Sequence, residues 1–281
     1  MQKLAQRYIT LHQQGFVPIF VGDRFDAVML AEASVAAGAR VVEITCRREN
    51  VCEDIRRIKR AFPELMILVG STVDDGPMID FLRRRKPQMP TIGELCDLGV
   101  DGIVSAMPLS LETVSRLSQT HIVVPGVESI TEAVQAVSAG AHFAKFFTTA
   151  ALGEHDRVAL ATNASLHGLL PIFVTGGVTC EKIKLYVQSR VALLGSGWDL
   201  MLGDRYQTLQ QAPDVQELTA MLKSFLTAMA DARKKHQSIS KSEDYQDYLR
   251  SLPHYHPFDA LLDDIEDETL RLAIQLTGDR S

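Results

Sequence analysis

Lys145 lies inside the run His142–Thr149, HFAKFFTT, with aromatic and apolar residues on both sides. Ala139-Gly140 and Gly153 bound the run, which therefore reads as a short buried strand. Burial disfavours the ammonium form of an amine, and a neutral lysine is a nucleophile that can form an imine with a carbonyl compound. The plainer reading is a lysine that buries its stem and extends its amine to water or to an acid. Which reading holds depends on the other side chains that the chain brings to the same place.

Those positions follow from the rhythm of the elements. An opening helical segment over residues 2–14 ends at Gly15, and alternation of strand and helix then begins. Apolar runs at Phe16–Val21, Arg40–Cys46, Leu65–Val69, Gly102–Ala106, His121–Val124, Phe143–Phe147, Pro171–Val174 and Val191–Leu194 read as eight strands with helical stretches between them. Their near-continuous β-branched and leucine content predicts parallel strands covered on both faces. Eight β-α units predict closure into an α/β (β/α)₈ TIM barrel with an N-terminal helix and a C-terminal helical extension. A doubly wound open sheet is the other topology with this rhythm. It lacks its glycine-rich fingerprint, since the first turn reads VGDRFD.

In a barrel the chemistry sits at the C-terminal ends of the strands. Those ends carry Glu43 and Arg47 on the second strand, Ser71 and Thr72 after the third, and Ser105 and Pro108 after the fourth. Pro125 and Gly126 follow the fifth, Lys145 lies on the sixth, Thr175-Gly176-Gly177 follow the seventh, and Gly195-Ser196-Gly197 follow the eighth. Alternation puts Glu43, Thr45 and Arg47 on one face, so both charges can point at the barrel axis. Each feature also has a structural reading: a Glu43–Arg47 ion pair, a cap at Ser71 and Thr72, a tight turn at Gly176-Gly177.

Taken together, VPIF, VVEITCR, GSTV, VPGV, FAKFF, VTGGV and LGSGW, in this order from about residue 15 to 200, resemble the 2-keto-3-deoxy-6-phosphogluconate (KDPG) / 4-hydroxy-2-oxoglutarate (KHG) aldolase family. The resemblance implies a metal-independent class I aldolase that needs no cofactor, assembles as a homotrimer, and cleaves a 2-keto-4-hydroxy acid, phosphorylated or not, to pyruvate and an aldehyde. It implies that Lys145 forms the Schiff base and Glu43 shuttles protons. Arg47 and Thr72 would hold the pyruvyl carboxylate, with Pro108 and Phe147 also lining the substrate site. The turns Thr175-Gly176-Gly177 and Ser196-Gly197 would hold a distal phosphate or carboxylate. The chemistry is coherent on its own terms. An iminium is an electron sink, a carboxylate can take the C4 hydroxyl proton, and a guanidinium fork matches a carboxylate. Another lysine-imine reaction of a keto acid, or a binding protein without turnover, would use the same residues.

The chain departs from the family pattern at several points. Thr148 replaces a proline after KFF, and the fourth strand ends Ser105-Ala106-Met107-Pro108 instead of S-P-G. The last turn reads Gly195-Ser196-Gly197-Trp198 where the family has G-G-S-W, which moves the serine by one position. The segment Gly76–Met89 is inserted after the third strand, as a lid, an interface or a solvated helix.

Composition limits the alternatives. A net charge of −6 argues against a nucleic-acid-binding body. No apolar run is long enough for a transmembrane helix, and no signal peptide is evident, so a cytoplasmic protein with free thiols is expected. Residues 1–236 read as the barrel domain, ending in a helix over Pro213–His236, and 237–281 as the extension. His254 and His256 flank Tyr255 between two prolines and read as a loop, with no metal site expected.

Overall fold

A computed structural model describes residues 2–147, 169–208 and 213–238. The helix expected at Asp156–Leu166, Thr148 and the extension with its His254 and His256 lie outside the described residues. Strands β1 (Phe16–Phe20), β2 (Val41–Thr45), β3 (Met66–Gly70), β4 (Gly102–Val104), β5 (Ile122–Val124), β6 (Gly126–Val127), β7 (Ala144–Phe146), β8 (Ile172–Thr175) and β9 (Leu193–Gly197) form one sheet in the order β5-β4-β3-β2-β1-β9-β8-β7-β6. The strand pairings among the described residues are all parallel. The fifth expected strand is split. Proline has no N–H to give to a ladder, so Pro125 interrupts the strand between β5 and β6. Pro125 still accepts from Lys145 N–H at 2.9 Å, and Val123 accepts from His142 N–H at 2.9 Å. One split stave thus joins the two ends of the sheet, and the nine segments make an eight-staved barrel.

Alternation along the strands decides which residues fill it. Val42, Ile44, Ile67, Val69, Ile103, Ala144, Phe146, Ile172 and Val174 belong to the layer between strands and helices. Val17, Val41, Met66, Leu68, Val104, Phe143, Phe173 and Leu193 form the inner cluster. Helix α1 (Gln2–Gln14) adds Leu4, Ala5, Tyr8, Ile9 and Leu11 to that inner cluster and so closes the N-terminal end of the barrel. Tyr8 stacks on Phe143 with ring centroids 5.3 Å apart. The Gln14 side chain ties the helix end to β2, accepting from Arg40 and Val41 N–H and donating to Phe16 and Val41 carbonyls. At the outside, α2 (Ala27–Ala36) and α3 (Val51–Ala61) cover β1 and β2, and the long helix Val215–Ser238 packs across α2 and Phe16. Among the described residues no helix is long and apolar enough to cross a membrane.

The inserted segment forms a short helix, α4 (Pro77–Arg83), bridged by Arg83 to Glu94 at 3.3 Å. Beyond it, Lys86 Nζ donates to the carbonyls of Cys46 at 2.8 Å, Arg47 at 3.1 Å and Arg48 at 3.2 Å. The insertion therefore clamps the loop after β2. The same loop is held from the other side by buried Arg48, which pairs with Asp54 at 2.7 Å and donates to the Gly22 and Phe25 carbonyls.

His142 at the closed end is buried, and its Nδ1 accepts from Val123 N–H at 3.1 Å. Desolvation pulls its pKa down from 6.5 to about 3. The native chain keeps this ring neutral, whereas the unfolded chain takes up a proton below about pH 6.5. Its contribution is therefore full above that pH and is lost as pH falls from about 6.5 toward 3, by about 1.4 kcal/mol per pH unit. His142→Asn retains an acceptor for Val123 and removes the titration. Urea midpoints measured across this range should show a shallower acid slope in the variant, and an unchanged slope would assign the acid loss to other groups.

Candidate active site

Lys145 sits between the outward-facing Ala144 and Phe146, so its side chain enters the barrel. Glu43 sits likewise between Val42 and Ile44. Their strands, β7 and β2, lie four staves apart in either direction round the ring, on opposite walls. Two long side chains reach across the axis and meet. Lys145 Nζ lies 3.1 Å from Glu43 Oε1 and 3.2 Å from Oε2, with side chains 4% and 2% exposed. The structural pairing of Glu43 with Arg47 is thereby excluded, because the acid's partner is the lysine. The amine also stands 5.3 Å from the centroid of the Phe173 ring, on the neighbouring stave β8.

The other wall of the pair is Gly70. A side chain there would overlap the Glu43 carboxylate, so the acid can reach the lysine only because residue 70 has none. Ser71 follows with φ of 55°, a left-handed conformation that costs a non-glycine residue about 1–2 kcal/mol. That turn brings Thr72 inside, where its hydroxyl donates to the Val104 carbonyl at 2.9 Å. Ser105 is fully buried beside it and donates to the Thr72 carbonyl at 2.8 Å.

Other expected residues fall at varying depth. β2 ends at Thr45, whose hydroxyl donates to Val21 O at 2.8 Å, and Arg47 lies beyond it, exposed, on the loop that Lys86 clamps. Pro108 is exposed, and Phe147 is half-buried at the end of β7. Thr175 is buried on the inner face of β8, above Phe173, and its hydroxyl has no hydrogen-bond partner. Gly176 and Gly177 take φ of 80° and 102°, so this turn does need glycine. Ser196 is buried and donates to the Val178 carbonyl at 2.9 Å, while Gly197 ends β9 at the rim. Cys46, next to this cluster, is no rival nucleophile, because burial pushes its thiol up to about 12. Among the described residues no three His, Cys, Asp or Glu side chains gather as a metal-binding group.

Comparison with known proteins bears on this arrangement. The family model for KDPG and KHG aldolase matches residues 10–221. The chain belongs to the KDPG/KHG aldolase family. It is 26% identical over 184 residues to 2-dehydro-3-deoxy-phosphogluconate aldolase of Dickeya dadantii, covering 65% of this chain and 79% of that one. It is 28% identical over 190 residues to 2-dehydro-3-deoxy-6-phosphogalactonate aldolase of Escherichia coli, covering 66% and 85%. The barrel resembles the solved 2-keto-3-deoxy-6-phosphogluconate aldolase of Zymomonas mobilis with 3-phosphoglycerate, at TM-score 0.60 and 23% identity over 80% of this chain and 96% of that one. It also resembles KDPG aldolase of Legionella pneumophila with pyruvate captured as a covalent carbinolamine, at TM-score 0.58 and 20% identity over 81% and 97%. At these identities the solved structures establish the fold.

Sequence reasoning missed Gly70, Phe173 and Lys86 as parts of the aldolase-family site. The first two were within reach of the in/out alternation that was applied to Glu43 on the second strand. Lys86 carried no signal, since its partners are backbone carbonyls forty residues or fewer away in the chain. Gly70→Ala must displace the Glu43 carboxylate from Lys145. Overpacking of this kind costs about 1–3 kcal/mol. Urea unfolding should show that loss, and a variant as stable as the parent would mean the carboxylate moves aside freely.

Proposed function

We propose that the chain is a class I aldolase that cleaves a 2-keto-4-hydroxy acid to pyruvate and an aldehyde. The observation that carries this reading is the Lys145–Glu43 contact, buried and spanning the barrel, in a chain of this family. Support for the imine route comes from the Legionella pneumophila relative, in which pyruvate is held as a covalent carbinolamine.

Glu43 is the base within reach of the amine, at 3.1 Å, and the Phe173 ring stands 5.3 Å from that amine. Glu43 takes a proton from the Lys145 ammonium, the freed amine adds to the C2 carbonyl, and Glu43 returns that proton to the carbinolamine hydroxyl, which leaves as water to give an iminium. Glu43 takes the proton of the C4 hydroxyl. The C3–C4 bond then breaks, its electron pair flows to the iminium, and the aldehyde leaves an enamine behind. Protonation at C3 and hydrolysis return the amine and release pyruvate. One carboxylate can act as acceptor and then donor across these steps.

We assign the binding roles that the family resemblance implies. Arg47, on the loop clamped by Lys86, takes the keto-acid carboxylate, and Thr72, its hydroxyl engaged by the Val104 carbonyl, shapes the same side of the mouth. Pro108 and Phe147 border the same mouth. Thr175, Gly176 and Gly177, with Gly197, form the rim on the side of β8 and β9 and meet the distal part of the substrate, while Ser196 braces that rim from behind through the Val178 carbonyl. The homotrimer that the family resemblance implies is part of the same proposal.

Borohydride reduction in the presence of pyruvate should leave an adduct on Lys145, identified by peptide mass, and Lys145→Met should show none. A wild-type chain without adduct would remove every imine-based reading. Glu43→Gln should lower kcat by about 10²–10⁴-fold. Near-normal turnover in that variant would take Glu43 out of the mechanism. Arg47→Lys should raise KM for the keto acid more than it lowers kcat, because a point charge does not replace a two-pronged fork.

A further inference from the structure

The turns after the seventh and eighth staves and the short helix that follows are where barrels of this type commonly bind phosphate. In this chain those turns end at Gly177 and Gly197, and the following helix is Trp198–Leu202. The residues there are poorly suited to a phosphate. Along β9 the inner-face positions are Gly195, which faces Phe173 and the Thr175 methyl, and then Gly197. A side chain on Gly197 would collide with the carboxylate of Asp199 and with Val21. The Asp199 carboxylate therefore folds back over the rim and occupies the space into which residue 197 would project.

Three further observations bear on what this rim can hold. The Ser196 hydroxyl lies between two inward positions, is turned to the Val178 carbonyl at 2.9 Å, and so is spent within the fold. Among the described residues no lysine or arginine forms an ion pair with Asp199. Of the charges on the neighbouring loop after β1, Asp23 lies 3.7 Å from Arg48, and Arg24 lies over the Tyr206 ring, 4.7 Å from its centroid. Thr175 is 1% exposed, faces the same interior, and has no partner for its hydroxyl.

A phosphate dianion or a terminal carboxylate at this rim would meet an unneutralised carboxylate. A substrate hydroxyl would meet an acceptor in Asp199 and a donor in Thr175. We infer that Asp199 sets the distal specificity: the chain takes 2-keto-4-hydroxy acids whose far end is uncharged and hydroxylated, and it discriminates against phosphorylated ones. This rests on the aldolase reading above and narrows it.

The test compares kcat/KM of the full chain for a 2-keto-3-deoxy sugar acid and for its 6-phosphate. Wild type should favour the unphosphorylated acid by about tenfold or more, and Asp199→Asn should move the ratio by about tenfold toward the phosphate. Thr175→Val should raise KM for the unphosphorylated acid, the loss expected when a site built to hydrogen-bond a hydroxyl loses its partner. Circular dichroism checks that each variant is folded, and Asp199→Ser serves if Asp199→Asn is not. A wild-type preference for the phosphate, or a ratio unmoved in a folded Asp199 variant, overturns the inference. Pyruvate trapping on wild type separates the two levels. An adduct together with phosphate preference defeats only the specificity assignment, whereas no adduct defeats the aldolase reading and this one with it.

Discussion

A lysine and a glutamate that meet across the axis of a closed barrel impose conditions on everything around them. Taking two charges out of water is costly, and their attraction offsets the cost only when the geometry is good and the pair is complete. Here both carboxylate oxygens lie within 3.2 Å of the amine. That contact requires two opposite staves at the right height, an empty position at Gly70, and a flat aromatic surface at Phe173. Removing either partner would leave the other buried and uncompensated. The same property that makes the pair expensive underlies the reactivity we propose for it, in which a carbonyl compound that consumes the amine leaves a base held beside the new bond.

The two ends of the barrel are built for different tasks. At the closed end Tyr8, Phe143 and neutral His142 pack under helix α1, and the His142 ring accepts from the Val123 N–H. At the open end polar side chains replace apolar ones at the same inward positions, Glu43 above Val41, Lys145 above Phe143 and Thr175 above Phe173, and Gly70 leaves the position above Leu68 empty. A period of two along each strand is enough to produce this division. Stability is concentrated below the pair and specificity above it.

The loops then differentiate this member of the family. The insertion after β3 reaches across to clamp the loop after β2 through Lys86, so the arginine-bearing rim is fixed by a segment that the sequence leaves as a lid, an interface or a solvated helix. On the opposite rim, moving the serine by one position has a structural consequence: Ser196 points away from the mouth, and the vacated position at Gly197 is covered by Asp199.

Much of the architecture was legible in the residues alone. Runs such as VVEIT and MILVG read as doubly covered parallel strands, alternation put Glu43 on an inward face, and the apolar run around Lys145 marked it as buried. The family resemblance rested on the same fragments. Tertiary structure decided what is paired with what. Glu43 was four positions from Arg47 and more than a hundred from Lys145, yet strand β2 ends at Thr45 and ring closure brings the lysine, not the arginine, to the acid. Pro125 split a stave because a missing N–H matters only once a neighbouring strand is there to need it. The orientation of Ser196 and Asp199 about Gly197 was likewise invisible in sequence, since it depends on which carbonyl and which void lie nearby after folding. Sequence fixes periodicity and residue chemistry, which are local; contacts across the barrel axis depend on closure, which is a property of the whole ring.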